Sequence, residues 1–362
     1  MPTLKDIAQI VGVSISTVSR VINEDTSKHI SAETKAKVWE AVKQLNYKTS
    51  DTQRRLIKQK MVASLHSDKQ IGCILSFPNN KHNDPFFSPM LAGIKDKLKE
   101  MGASLAFIKT QDEVIEDWQQ NRLFKDGAPE GLIIIENVNP SLVETLKERV
   151  PFCVGIDLTD PTLPVIVYDR VIAAQAAVSH LIDQGYRKIG YIGGIDLVDS
   201  ADKDMRFQGY KTALLEADLP INSEWIINAE WDVDLSYDKM SELLTHYRND
   251  LPTAMFCASD MMAVAAMRAV SEQGLRIPDD IAFIGLDNIE VSKYTSPPLS
   301  TIHIPKYEMG LVAAKTVIDF IDGCYPIPFK MVLPFELIVR QSSGDCCLHT
   351  SHVECCVSLA RK

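Results

Sequence analysis

A chain of 362 residues, 46% of them hydrophobic, is long enough to bury a large core and suggests more than one domain. Its formal net charge of −10 argues against a polyanion-binding surface spread over the whole molecule. No apolar stretch reaches membrane-spanning length and no charged-then-apolar leader opens the chain, so the expectation is a cytoplasmic protein whose eight cysteines stay reduced.

The first 47 residues predict three short helices. Thr3 is placed to cap the first, with Asp6 at its third helical position reaching back as in a capping box. Leu4, Ile7, Ala8 and Val11 form an apolar face, and Gly12 closes the helix. Ser14 begins the second helix, with Val18, Val21 and Ile22 inward and Ile15, Ser16, Thr17, Ser19 and Arg20 outward. Ser31 caps a third, which buries Val38, Ala41, Val42 and Leu45. Two helices around a tight turn are the outline of a helix-turn-helix, which places one helix in the DNA major groove. Serine and threonine are indifferent helix formers, so packing them on an exposed face sacrifices propensity for short hydrogen-bonding groups. Such groups allow close approach to phosphates, and an arginine among them can grip guanine. A solvated face of an ordinary three-helix bundle is the blander alternative. Charge favours DNA: residues 1–60 hold eleven Lys and Arg against six acids, net +5, leaving −15 for the rest.

From residue 71 to 343, short β-rich runs alternate with amphipathic helical stretches. The runs are 71–77, 104–110, 131–136, 152–157, 164–169, 188–193, 254–259 and 281–287, and the helices 90–101, 173–184, 207–217, 236–247, 261–273 and 309–321. This alternation predicts parallel sheets covered by helices, in two lobes of about four strands each. Ligands in such folds sit at the carboxyl ends of strands, and two facing lobes make a cleft that can close. The residues at those ends are Ser76, the 83–87 loop with Phe86, Asp157, Ser259-Asp260 and Asp287-Asn288, together with Arg206 and the loop aromatic Trp231. An aromatic face, an arginine, acids and amides suit a sugar, whose C–H face stacks while each hydroxyl needs a partner. Any one of these residues could equally be a cap or turn former.

Enzyme readings find little support. Gly190-Tyr-Ile-Gly-Gly194 follows a strand but lacks dinucleotide-loop spacing. No phosphate-cradling loop, nucleophile elbow or paired-histidine zinc helix occurs. Paired strand-end acids could serve a glycosidase, but the head would then be unexplained. A passive sugar-binding protein would need export. No cofactor is expected. Cys73, Cys153 and Cys257 read as buried small hydrophobes. The tail, 344–362, crowds Cys346, Cys347, His349, His352, Cys355 and Cys356 together; adjacent cysteines fit zinc spacing poorly, so it reads as a disordered extension without metal.

The run Thr-Leu-Lys-Asp-Ile-Ala…Gly-Val-Ser…Thr-Val-Ser-Arg-Val-Ile-Asn23 resembles the N-terminal signature of LacI/GalR-type repressors. The body resembles that family's periplasmic-binding-protein-like effector domain through Asp84-Pro-Phe-Phe87, Val167-Tyr-Asp-Arg170, Arg206-Phe-Gln-Gly-Tyr210, Ala258-Ser-Asp260 and Ile284-Gly-Leu-Asp-Asn288. The resemblance covers residues 2–343 and is strongest to galactose-operon repressors of Gram-positive bacteria. It implies base discrimination by Ile15 and Ser16, a base-edge contact from Arg20, and phosphate contacts from Ser14, Thr17, Ser19 and Asn23. It implies a hinge helix within residues 48–70, with Arg54 and a minor-groove wedge at Leu56; Ser50 and Gln53 depart from the family there. In the cleft it implies that Arg206 and Asp287 hold sugar hydroxyls, that Trp231 stacks on the ring, and that Ser76, Phe86 and Ser259 line the pocket. Ser259 stands where many relatives carry asparagine, and Lys306, where some carry an aromatic, is left outside the site. The function implied is a homodimeric or tetrameric repressor of galactose or galactoside genes. It would bind a near-palindromic operator through two heads and be released by sugar. Raffinose-type and other sugars remain open.

Overall fold

The computed structural model describes residues 3–22, 30–45, 69–76, 84–120, 122–125, 127–136, 138–194, 204–325 and 327–344. Asn23, Arg54, Leu56 and the cysteine-rich tail therefore lie outside the described residues. The chain divides into two compact units, residues 1–68 with 319–326 and residues 69–318 with 327–362; the three N-terminal helices form the head, and the sheets belong to the body.

The head has helices α1 (Leu4–Val11), α2 (Ile15–Ile22) and α3 (Ala32–Gln44). Thr3 and Asp6 form the expected capping box: the Thr3 amide donates to Asp6 Oδ2 at 2.7 Å, and the Asp6 amide donates to Thr3 Oγ1 at 3.4 Å. Gly12 ends α1 in the left-handed conformation, with φ 73°. Ile7, Ala8, Val18, Val21, Val38, Ala41 and Val42 are buried together, with Leu4, Val11 and Leu45 packed against them. So small a core makes a domain of modest stability.

The body holds two six-stranded sheets rather than two of about four. The first lobe has β1 (Lys69–Leu75), β2 (Ala103–Thr110), β3 (Gly131–Ile135), β4 (Phe152–Ile156) and β5 (Val165–Tyr168). The second has β6 (Ile189–Gly193), β7 (Ile226–Asn228), β8 (Ala254–Cys257), β9 (Ala282–Asp287) and β10 (Ser300–His303). Each sheet then gains one late strand, β11 (Lys330–Leu333) in the first and β12 (Glu336–Ile338) in the second. The orders are β11-β5-β4-β3-β1-β2 and β12-β10-β9-β8-β6-β7, all pairs parallel except β10 with β12. The strands without a counterpart in the sequence runs, β7, β10, β11 and β12, are only three or four residues long, and β11 and β12 are also too exposed to show an apolar run.

Helices cover these sheets: α4 (Phe87–Glu100), α5 (Gln111–Gln119), α6 (Pro140–Arg149), α7 (Arg170–Asp183), α8 (Met205–Glu216), α9 (Val233–His246), α10 (Asp260–Glu272) and α11 (Lys306–Ile321). Of these, α5 and α6 are absent from the sequence reading. The chain passes between lobes after β5, after β10 and after β11, so the lobes share three crossings. Cys73, Cys153 and Cys257 are buried as expected, and burial pushes the first two thiols up to about 12. Among the described residues no helix is long and apolar enough to span a membrane, and no cluster of side chains could hold a metal.

Candidate functional site

On α2 the sequence places short polar groups where the backbone leaves them outside. Ile15 is 48% exposed, Ser14 and Ser16 are exposed, and Thr17, Ser19 and Arg20 are half-buried beside the fully buried Val18. Ser14 caps α2, its hydroxyl accepting from the Thr17 amide at 3.1 Å. The same hydroxyl lies 2.8 Å from those of Ser16 and Thr17. The face thus offers three close-set hydroxyls beside one large apolar side chain.

Strand order reverses at β1 in the first sheet and at β6 in the second, the places where ligands sit at strand carboxyl ends in such folds. Arg206 is the second residue of α8, fixed there because its amide donates to the cap Asp204 at 2.7 Å. Its side chain is buried. Nη2 donates to the Tyr168 hydroxyl of the first lobe at 3.0 Å, and the guanidinium lies 4.7 Å from the Trp231 ring centre. Its Nε has no partner. Burial works against the charge, but Tyr168, Asp287 and further acids outweigh it and hold the group protonated. Trp231 is 38% exposed and has φ 61°, a left-handed conformation uncommon outside glycine. Its indole lies so close to Gly194 that a Cβ there would sit 2.1 Å from Nε1, so the glycine after β6 makes room for the ring.

Asp287 ends β9 with φ 127°, followed by Asn288 at 51°. Such residues cost about 1–3 kcal/mol each and persist only where surroundings hold them. The Asp287 carboxyl is buried, and its Oδ1 has no partner. Burial first, and Asp260 second, push it up to about 8, against the pull of Arg206 and Lys306. Asp260 is wholly buried, accepting from the Thr301 hydroxyl at 2.6 Å and the Ile289 amide at 2.9 Å. On the facing lobe Ser76 follows β1, and its buried hydroxyl lacks a partner. Phe86 precedes α4, set edge-on to Phe87 at 5.2 Å. Ser259 is occupied as the cap of α10, accepting from the Met262 amide at 3.3 Å.

Arg206, Trp231 and Asp287 are thus brought together, with Tyr168 joining Arg206 from the other lobe. The sequence reading did not place Tyr168, Arg170 or Glu136 in the site. Arg170 lies 3.3 Å from Asp157 and 3.6 Å from Glu136, and burial raises both carboxyls despite its pull. Their signal was charge at the ends of β3, β4 and β5, of which only Asp157 was weighed. Lys306, left outside the site by the sequence, is buried and donates from Nζ to the carbonyl oxygens of Asp287 and Ile304, with Nζ 6.0 Å from the Phe86 ring centre. The glycines of the 190–194 run make room for Met255, Tyr191 and Trp231 side chains, which accounts for them without a phosphate.

Orphaned donors and acceptors on buried side chains cost free energy unless something meets them. A ligand that supplies an acceptor to Arg206 Nε and a donor to Asp287 Oδ1 would satisfy both, and a flat apolar face on it would cover the Trp231 ring.

Residues 3–50 match the family described as bacterial regulatory proteins, lacI family, and residues 178–343 match a periplasmic binding protein-like domain. The chain is 34% identical over 345 residues to the ribose operon repressor of Haemophilus influenzae, covering 94% of this chain and 98% of that protein. It is 32% identical over 346 residues to the HTH-type transcriptional repressor PurR of Aliivibrio salmonicida, covering 94% and 99%. These relatives are not galactose-operon repressors, the group the sequence reading placed nearest. Among solved structures it is similar to the transcriptional regulator CelR in complex with cellobiose, at TM-score 0.67 and 26% identity over 94% of this chain and 100% of that one. The lac repressor dimer bound to operator and the anti-inducer ONPF gives TM-score 0.64 and 25% identity over 95% and 99%.

Proposed function

This chain belongs to the LacI family, as a DNA-binding transcriptional repressor and not an enzyme, and from that premise we propose that it is a sugar-responsive switch of a galactose or galactoside operon. The observation that carries the sugar reading is the trio Arg206, Trp231 and Asp287, which sets a partly exposed aromatic face beside a buried unmet donor and a buried unmet acceptor. Sugar hydroxyls act as both donor and acceptor, and a pyranose C–H face fits an indole. Galactose rests on the sequence resemblance alone; raffinose-type sugars, ribose and cellobiose are its competitors.

In this reading residues 1–47 read DNA and 48–70 form the hinge. Residues 71–343 bind effector and dimerise, and 344–362 are an appendage. Two heads of a homodimer meet the half-sites of a near-palindromic operator, as two-fold symmetry requires. Ser14, Ile15, Ser16, Thr17, Ser19, Arg20, Asn23, Arg54 and Leu56 make the contacts. Sugar favours a closed cleft, operator favours the other arrangement, and each weakens the other.

A thermal-shift panel of galactose, methyl β-D-galactoside, raffinose, ribose and cellobiose tests the ligand, since whatever binds only the folded state raises Tm. A rise with galactose or the galactoside, together with release of operator DNA, is expected. A rise confined to another sugar would overturn galactose, and none with any would overturn the sugar reading.

A further inference from the structure

Asp287 and Asn288 form a two-residue left-handed turn, and several side chains converge on it. Thr301 Oγ1 accepts from the Asn288 amide at 3.2 Å, and Arg340 Nη2 donates to Asn288 Oδ1 at 2.7 Å. Asp260 takes the next amide, that of Ile289. These grips all act after the Asp287 carbonyl. The carbonyl itself receives Lys306 Nζ, which also reaches the Ile304 carbonyl at 3.4 Å. An ammonium has three donors, and here two meet backbone oxygens, while Asp287, Asp260 and Glu308 favour its charge against burial. A buried cation held this way does backbone work that an aromatic or aliphatic side chain could not do.

The location gives that work a direction. Lys306 opens α11, directly after the crossing from β10. That helix packs on α4 of the first lobe backbone to backbone. A Cβ on Gly310 would sit 2.1 Å from the Met90 carbonyl, and one on Gly93 2.1 Å from the Tyr307 carbonyl. The Lys306 ammonium also lies near Phe86, in the loop leading into α4. One side chain therefore joins the turn that aims Asp287 to the helix pair of the opposite lobe.

We propose that Lys306 is a positioning residue: by binding the Asp287 carbonyl from the start of α11, it holds the left-handed turn that aims the Asp287 carboxyl into the cleft and ties it to the first lobe. The ligand half of the test rests on the sugar reading above; the backbone half does not.

Crystal structures of the unliganded wild type, Lys306→Met and Lys306→Arg test the backbone half. Methionine keeps the stem and removes the donors; arginine keeps them. The expected result is that the 287–288 turn leaves positive φ in Lys306→Met and is restored in Lys306→Arg. A turn unchanged in Lys306→Met would overturn the proposal. Should Lys306→Met fail to fold, Lys306→Gln, with a shorter donor, is the substitute under the same criteria. Calorimetric titration with galactose is the second readout. At least a tenfold loss of affinity in Lys306→Met, recovered in Lys306→Arg, is expected, and equal affinity in wild type and Lys306→Met would contradict the proposal. If wild type binds no galactose, the sugar assignment fails while the turn geometry still decides the role of Lys306.

Discussion

At the start of α2 in the head, Ser14, Ser16 and Thr17 stand at or near the surface, and the Ser14 hydroxyl lies 2.8 Å from each of the other two. In the cleft, the atoms Arg206 Nε, Asp287 Oδ1 and Ser76 Oγ are buried and have no partner. An exposed hydroxyl loses little while it waits for DNA, because water serves it and its neighbours are polar. A buried one carries a standing cost until a ligand arrives. The two regions therefore meet their partners differently. The head adds contacts to a surface already at rest, whereas the body relieves an unsatisfied interior.

The comparison is broken most severely at Arg206. Arg206→Ala removes the cation that touches Trp231 and Tyr168, and effector affinity should fall by about a hundredfold, on the order of 3 kcal/mol. Operator affinity without sugar should hold, so the variant should repress without being inducible; normal induction would remove Arg206 from the site. Next in size is base preference. Exchanging Ile15 and Ser16 should change which operator bases are favoured by about 1–3 kcal/mol in a selection from random duplexes. A uniform loss across all sequences would demote both to packing residues.

A third test lies in pH. Asp287 is pushed up to about 8 in the fold, well above an unfolded carboxyl near 3.8, so the native state holds its proton longer than the unfolded chain does. Stability of the unliganded body should therefore fall as pH rises from about 4 towards 8. Asp287→Asn should flatten that slope in denaturation curves, and an unchanged slope would assign the titration elsewhere. The smallest effect is in the head, where Thr3→Ala removes the cap of α1 and should cost about 1 kcal/mol of stability. Calorimetry that finds the head's transition unmoved would mean that the capping box adds nothing there.

The same contrast explains what the sequence revealed. Thr3, Asp6, Gly12 and Ser14 act within three or four residues of themselves, so their roles could be read from spacing. Asp287 stood out as a strand end in an alternating α/β chain, while Arg206 at a helix start and the loop aromatic Trp231 were placed beside it by the family resemblance. Lys306 was not, because its partner is a carbonyl nineteen positions away, made available only by the left-handed turn at Asp287. Arg170 was hidden for a similar reason: its partners Glu136 and Asp157 come from two other strands. The strands β7, β10, β11 and β12 escaped notice because three or four residues carry no period.

Head and body are joined functionally only if ligand in one alters affinity in the other. The direct measurement is a reciprocal pair: operator affinity by fluorescence anisotropy with and without saturating galactoside, and galactoside affinity by calorimetry with and without operator. The account predicts that each ligand weakens the other by the same factor, between about 5-fold and 150-fold. Operator affinity that stays constant at saturating galactoside would contradict it.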